Sequence, residues 1–201
     1  MRITVLGGSG FIGSHVADEL SKKGHKVTIF DKKKSKWIRS DQKMFIGNIL
    51  NPNDLENVIK NTDVVFHFAA LADIDQAIKN PINTVKVNIL GTVQVLELCR
   101  KHNVKRFIHA STIYVNSVDG GFYRSSKKAA EDYVEEYKKI HSNIAEKILS
   151  TEEVRWTTIP MAENLIDNIR NEKDISDEKL NYMNKVDEYI QQIRVFYEKA
   201  S

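Results

Sequence analysis

The first thirteen residues limit this chain's fold more than any other stretch. Arg2–Leu6 (RITVL) reads as a strand, and Gly7-Gly8-Ser9-Gly10-Phe11-Ile12-Gly13 follows it directly. Ile12, Val16 and Leu20 then recur at fourfold spacing, which predicts a helix over 13–23. In such a G-x-x-G-x-x-G turn the first glycine permits the tight bend. The middle one lets a pyrophosphate reach the backbone, and the third lets helix and strand pack closely. The helix N-terminus adds unpaired N–H groups and partial positive charge at the same point.

The same alternation continues. Short β-branched runs at 26–30 (KVTIF), 44–46, 63–68 (DVVFHF) and 106–110 (RFIHA) predict strands. Between them, 53–60, 81–102 and 123–139 carry apolar residues at helical spacing. The run at 63–68 is apolar almost throughout, as suits a parallel strand covered on both faces. Strand–helix alternation at this spacing predicts an α/β fold, a Rossmann-like doubly wound parallel sheet.

Composition narrows the class further. The chain has 201 residues, about one domain or slightly more, and is 41% hydrophobic and 28% charged. No window of eighteen uncharged apolar residues occurs, so no membrane span is expected. The N-terminus lacks a signal-peptide pattern and runs straight into the glycine turn. The single cysteine, Cys99, fits a reducing cytoplasm. All nine glycines lie between Gly7 and Gly121. Residues 1–138 carry a net charge of +6 and residues 139–201 one of −3. The expected division is a dinucleotide-binding domain over 1–141 and a mostly helical segment over 142–201.

Four further features carry chemistry. Asp31 ends the second strand, where a carboxylate can accept both hydroxyls of an adenosine ribose. It would repel a 2′-phosphate, which favours NAD over NADP, while Lys32, Lys33 and Lys34 pull the other way. Tyr123 and Lys127 are four apart at a helix start, so they share a face. An ammonium there is expected to lower the phenol's pKa and make Tyr123 a base near neutral pH. Ser111 and Thr112 follow the fifth strand, at the sheet edge where α/β folds bind ligands. No His, Cys and carboxylate spacing suggests a metal, and no aromatic-basic stripe suggests nucleic acid. His67 reads as a packed core residue, and Asp73 and Asp75 as loop solvation.

These stretches resemble the extended short-chain dehydrogenase/reductase family, in its NAD-dependent epimerase/dehydratase branch. VLGGSGFIGSHVADEL, VTIFD, GNI, VVFHFAALADI, NILGTVQVLELCR, VKRFIHAST and GFYRSSKKAAEDYVEEY match in order over residues 1 to about 138. The resemblance implies a bound NAD and a nucleotide-linked sugar as substrate. It implies that Gly7, Gly10 and Gly13, with Phe11 and Ile12, hold the pyrophosphate and Asp31 the adenine ribose. Asn48 and Ile49 stand beside the adenine, where Asn48 replaces the family's usual aspartate. Phe68, Ala69 and Ala70 line the cofactor cleft. Tyr123 matches the catalytic base, Lys127 the lysine that binds the nicotinamide ribose, and Thr112 the catalytic hydroxyl, with Ser111 as the fallback. Asn88 matches a structural asparagine of the fourth helix.

Beyond Lys139 the resemblance stops. Residues 153–159 (EVRWTTI) read as a degenerate sixth strand, and the family's sugar-binding arginine and Tyr-Gly-Pro are absent. From Ser176 an apolar stripe runs through Leu180, Met183, Val186, Ile190, Ile193 and Tyr197. It is expected to cover a sheet edge, with a homodimer-forming helix pair as the alternative. Three readings follow: a Tyr-assisted hydride-transfer enzyme acting on a nucleotide sugar, a non-catalytic dinucleotide-binding module or truncated family member whose C-terminal helices bind a partner, or a defective remnant that folds poorly. The intact Tyr123 and Lys127 favour the first, since neither is needed merely to hold NAD.

Overall fold

The computed structural model describes residues 1–140. The proposed domain boundary, the sixth strand and the helix from Ser176 lie outside the described residues.

Five strands form one sheet: β1 (Arg2–Leu6), β2 (Lys26–Asp31), β3 (Lys43–Ile46), β4 (Val64–His67) and β5 (Arg106–His109). Their order is β3-β2-β1-β4-β5, and every pairing is parallel. Chain order therefore reverses between β1 and β4. The crevice outside the carboxyl ends of these two strands is where such a sheet takes a ligand.

Helices cover both faces: α1 (Phe11–Lys22), α2 (Pro52–Ile59), α3 (Ile74–Lys79), α4 (Pro81–Thr84), α5 (Gly91–Lys101) and α6 (Gly121–Ile140). Leu6, Phe30, Val65 and Phe107 share a core with Leu55 and Ile59 of α2, Leu96 and Cys99 of α5 and Val134 of α6. Each fully buried side chain of this size stabilises the fold by about 1.5–3 kcal/mol. Thr4 points to the same side, where its hydroxyl meets Val58 O and Thr62 Oγ1. Ile3 and Val5 alternate onto the opposite face, where α1 packs on β1 and β2.

Three elements depart from the sequence reading. The first is α1, which begins two residues early, at Phe11, and buries Gly13, Ser14, Ala17 and Ser21. The Ile12–Val16–Leu20 stripe is not its packed face, since Ile12 is 52% exposed. Small residues win that face because a helix that opens on a glycine turn must lie close to the sheet. The second is the 81–102 helix, which is continuous but passes through a π-helical stretch at Val85–Leu90 between α4 and α5. A π turn widens the helix and re-aims the side chains inside it. Asn88 and Thr84 are buried there, whereas Val85 is exposed. The third is α3, over residues where Asp73 and Asp75 read as loop solvation. Asp73 caps it by accepting from Gln76 N at 2.7 Å, so this carboxylate has a structural task.

Asp63, just before β4, ties the sheet's amino edge together. It accepts from Arg2 N at 2.8 Å and pairs with Lys105 Nζ at 3.0 Å. The backbone N–H and the ammonium hold its carboxyl down to about 2. A carboxylate with a depressed folded pKa contributes stability above its unfolded value, about 3.9. That contribution is lost as pH falls toward about 2. The stability difference between wild type and Asp63→Asn should therefore shrink from pH 6 to pH 2 in urea melts. A difference independent of pH would remove Asp63 from this role.

Candidate active site

The phosphate turn is built by close contacts. Gly7 has φ +79, and a Cβ there would stand 2.5 Å from Ala69 N and 2.7 Å from Phe68 C. A Cβ on Gly13 would stand 2.4 Å from Gly7 O. Gly10 differs, because its missing Cβ would meet only Gly7 O, at 3.2 Å, and otherwise open space. The turn is thus glycine at Gly7 and Gly13 for its own packing, and at Gly10 for access from outside. Gly10 is also the N-cap of α1, with no side-chain cap, and no acidic residue stands in the first turn. That end keeps its positive character toward an anion.

Asp31 does two things here. Its Oδ2 accepts from Ser9 N at 3.0 Å and its Oδ1 from Lys33 N at 3.2 Å. Ser9 Oγ donates to Lys33 O at 2.8 Å. The carboxylate therefore fixes the phosphate turn against the start of the basic loop. Each oxygen still has a lone pair for a ribose hydroxyl. Asn48 is exposed, and its Oδ1 accepts from Leu50 N at 3.0 Å, leaving one further lone pair. Ile49 instead packs into the core, where its side chain is the nearest neighbour of Gly91. Phe68, Ala69 and Ala70 are half-buried, and Phe68 N donates to Leu6 O at 2.8 Å, so β4's exit runs beside the turn.

At the same carboxyl edge, β5 delivers Ser111 and Thr112 to the start of α6. Thr112 Oγ1 accepts from Tyr114 N at 3.4 Å. Its hydroxyl acts on the Tyr123 phenol by lowering the phenol's pKa. Ser111 points elsewhere and donates to Glu131 Oε1. Of the two hydroxyls, Thr112 is the one that acts on Tyr123.

The electrostatics correct the expectation that Lys127 lowers the Tyr123 pKa. Burial pushes the phenol up, the Thr112 hydrogen bond pulls it down, and nearby Tyr114 adds to the rise. Lys127 does not enter because its ammonium is turned toward β5, where it donates to Ala110 O and lies 3.4 Å from His109 Nε2. Lys127 is 4% exposed, and burial brings it down to about 8 while Glu131 acts against the fall. Shared helix spacing put both residues on one face, but side-chain direction decided what each one meets.

Two buried groups completing this region had only weak sequence signals. Asn88 Nδ2 donates to Leu71 O at 3.0 Å and to Ser126 Oγ at 2.9 Å, and Ser126 Oγ donates to Tyr123 O at 2.8 Å. The π turn thus links β4's exit to the first turn of α6. His67 is buried, as its apolar surroundings predicted, with Nε2 3.0 Å from Thr92 Oγ1. Among the described residues no group of three or more His, Cys, Asp or Glu could hold a metal, and no helix is long and apolar enough to cross a membrane.

Known proteins are similar to this chain in sequence and fold. A UDP-N-acetyl-alpha-D-glucosaminuronate decarboxylase of Bacillus cytotoxicus is 38% identical over 117 residues, covering 55% of this chain and 36% of its own. The UDP-glucose 4-epimerase of Thermotoga maritima, solved with UDP-glucose, superposes with a TM-score of 0.65 at 30% identity, over 71% of this chain and 52% of that one. The Thermus thermophilus UDP-glucose 4-epimerase, solved with NAD, gives 0.65 at 29% identity over the same shares. The chain thus spans about a third to a half of the length of these relatives. Residues 3–154 match the NAD dependent epimerase/dehydratase family, and the chain belongs to it.

Proposed function

We propose that this chain binds NAD at the carboxyl edge of its sheet and carries out Tyr-assisted hydride-transfer chemistry on a nucleotide-linked sugar. The observation that carries this reading is the placement of Thr112, Tyr123 and Lys127 on the same sheet edge as the phosphate turn. Similar proteins solved with NAD and with UDP-glucose support the cofactor and the substrate class.

The residues fit the cofactor. The open side of Gly10 and the N-terminus of α1 would take the pyrophosphate, and the remaining lone pairs of Asp31 the adenine ribose. NAD supplies the hydride acceptor and a positive ring charge that favours a nearby phenolate. Tyr123 Oη takes the proton of the sugar hydroxyl whose carbon loses the hydride. The Thr112 hydroxyl lowers the cost of charge on that phenolic oxygen. Lys127 keeps a cation beneath the cleft. Asn88, through Ser126, fixes the turn of α6 that carries Tyr123.

Native mass spectrometry of the purified chain, followed by incubation with a panel of nucleotide sugars, tests this reading. The expected result is one retained or added NAD per chain and turnover of at least one sugar. A chain that takes up no dinucleotide refutes it. NAD uptake with no turnover on any nucleotide sugar instead leaves a binding module.

A further inference from the structure

Lys127 has a neighbour that the proposed chemistry leaves without a task. His109 is the last residue of β5, is 6% exposed, and stands directly across the parallel pairing from His67 of β4. The two imidazole centroids are 5.3 Å apart. His109 Nε2 lies 3.4 Å from Lys127 Nζ. His67 Nε2 lies 3.0 Å from Thr92 Oγ1, and Thr92 Oγ1 donates to Asn88 O at 2.7 Å. Among the described residues neither His67 Nδ1 nor His109 Nδ1 has a partner.

Donor counting assigns a tautomer to each ring. The Thr92 hydroxyl has one hydrogen, and Asn88 O takes it. Toward His67 that oxygen is an acceptor, so His67 carries its proton on Nε2. An ammonium has only donors, so toward Lys127 the Nε2 of His109 is an acceptor. His109 therefore carries its proton on Nδ1. By this assignment the two rings hold opposite tautomers, and the His109 Nδ1–H has no partner among the described residues.

We propose that His109 is a positioning residue for Lys127. Protonated on Nδ1, it accepts one ammonium N–H at Nε2 while Ala110 O accepts a second. The third N–H is left for the cofactor cleft. This inference rests on the reading above that Lys127 serves a bound NAD.

The surroundings agree with a neutral acceptor. Burial, then the Lys127 charge, then His67 hold His109 well below the ordinary histidine value, so it stays uncharged at neutral pH. The titratable groups around Lys127 are His109 from β5, His67 from β4 and Glu131 from its own helix. Glu131 is shared with the Ser111 hydroxyl. A hydrogen bond accepted from a cation favours the charged form, so removing His109 should lower the Lys127 pKa further.

The test is carried out on the whole chain by NMR. Long-range 1H–15N spectra should show His109 protonated on Nδ1 and His67 on Nε2. The 13Cε titration of Lys127, near pH 8 in the wild type, should fall by about one unit or more in His109→Leu. His109→Gln should restore it, because its amide oxygen reaches the place of Nε2. His109→Asn should not, because its oxygen stops at the place of Nδ1, and it replaces the Leu variant if that one fails to fold. NAD affinity at pH 7 should drop about tenfold in the Leu or Asn variant and recover in the Gln variant. An Nε2 proton on His109, or one Lys127 midpoint in all variants, overturns the proposal. A wild type that binds no NAD refutes the functional reading, while the tautomer and the titration still decide the role of His109.

Discussion

Tyr123→Phe is expected to retain NAD with affinity within about twofold of wild type while turnover falls about 10²–10⁴-fold, the range of a lost general base. The substitution removes one oxygen and keeps the ring. Tyr123 is half-buried, and its link to Asn88 through Ser126 runs from its backbone carbonyl, which the substitution leaves in place. The phenol's one assigned partner is Thr112, whose hydroxyl can turn to solvent or substrate when the oxygen is gone. Stability should therefore change little, and the loss should fall on kcat. Retained cofactor can be counted by native mass spectrometry and turnover followed on whichever nucleotide sugar reacts. Equal turnover in the two proteins would move the base elsewhere. Wild-type turnover should also depend on pH from two sides. Burial raises the Tyr123 pKa, so the phenolate gains as pH rises, whereas Lys127 loses its charge above about 8.

The second large effect belongs to the phosphate turn, where Gly7 and Gly10, with Gly24 between α1 and β2 as the comparison, separate three causes. Gly7→Ala places a methyl 2.5 Å from Ala69 N at φ +79. A left-handed backbone costs a non-glycine residue about 1–2 kcal/mol. The clash is with backbone, which cannot swing aside, so a total of roughly 3 kcal/mol is expected. That corresponds to a Tm lower by about 6–12 °C, together with weaker NAD binding as the turn shifts. Gly24→Ala shares the φ of +79 but meets nothing within 4 Å, so only the conformational part should remain. Gly10→Ala meets only Gly7 O at 3.2 Å, so the protein should melt almost normally and lose cofactor affinity instead. Equal melting losses in all three variants would mean that the turn is not packed in this way.

The contrast between these glycines also shows how much the sequence could reveal. The strands, the turn, Asp31 and the Tyr123–Lys127 pair rest on short-range patterns, and the structure shows each of these segments where the pattern put it. Periodicity failed where neighbours in space set the rule. Ile12, Val16 and Leu20 formed the stronger apolar stripe, yet the sheet selected Gly13, Ala17 and Ser21 because it lies so close. The Val85–Leu90 stretch reads as ordinary helix, because a π turn changes hydrogen-bond partners without changing residue types. The partner of Lys127 was hidden for another reason. His109 is eighteen residues upstream, and only the β5–α6 packing brings the two together. Burial in that packing set the direction of the Tyr123 pKa, and the ammonium went to Ala110 O.

Asp31 has a consequence for redesign. A change of preference from NAD to NADP would ordinarily begin by replacing that carboxylate with a neutral residue and relying on Lys32, Lys33 and Lys34 to meet the added phosphate. Here the same carboxylate anchors Ser9 N and Lys33 N. Removing it would release the diphosphate cradle and the basic segment together, so the new cofactor would meet a loosened site at both ends. A workable swap has to provide those two amides with another acceptor before it alters the charge.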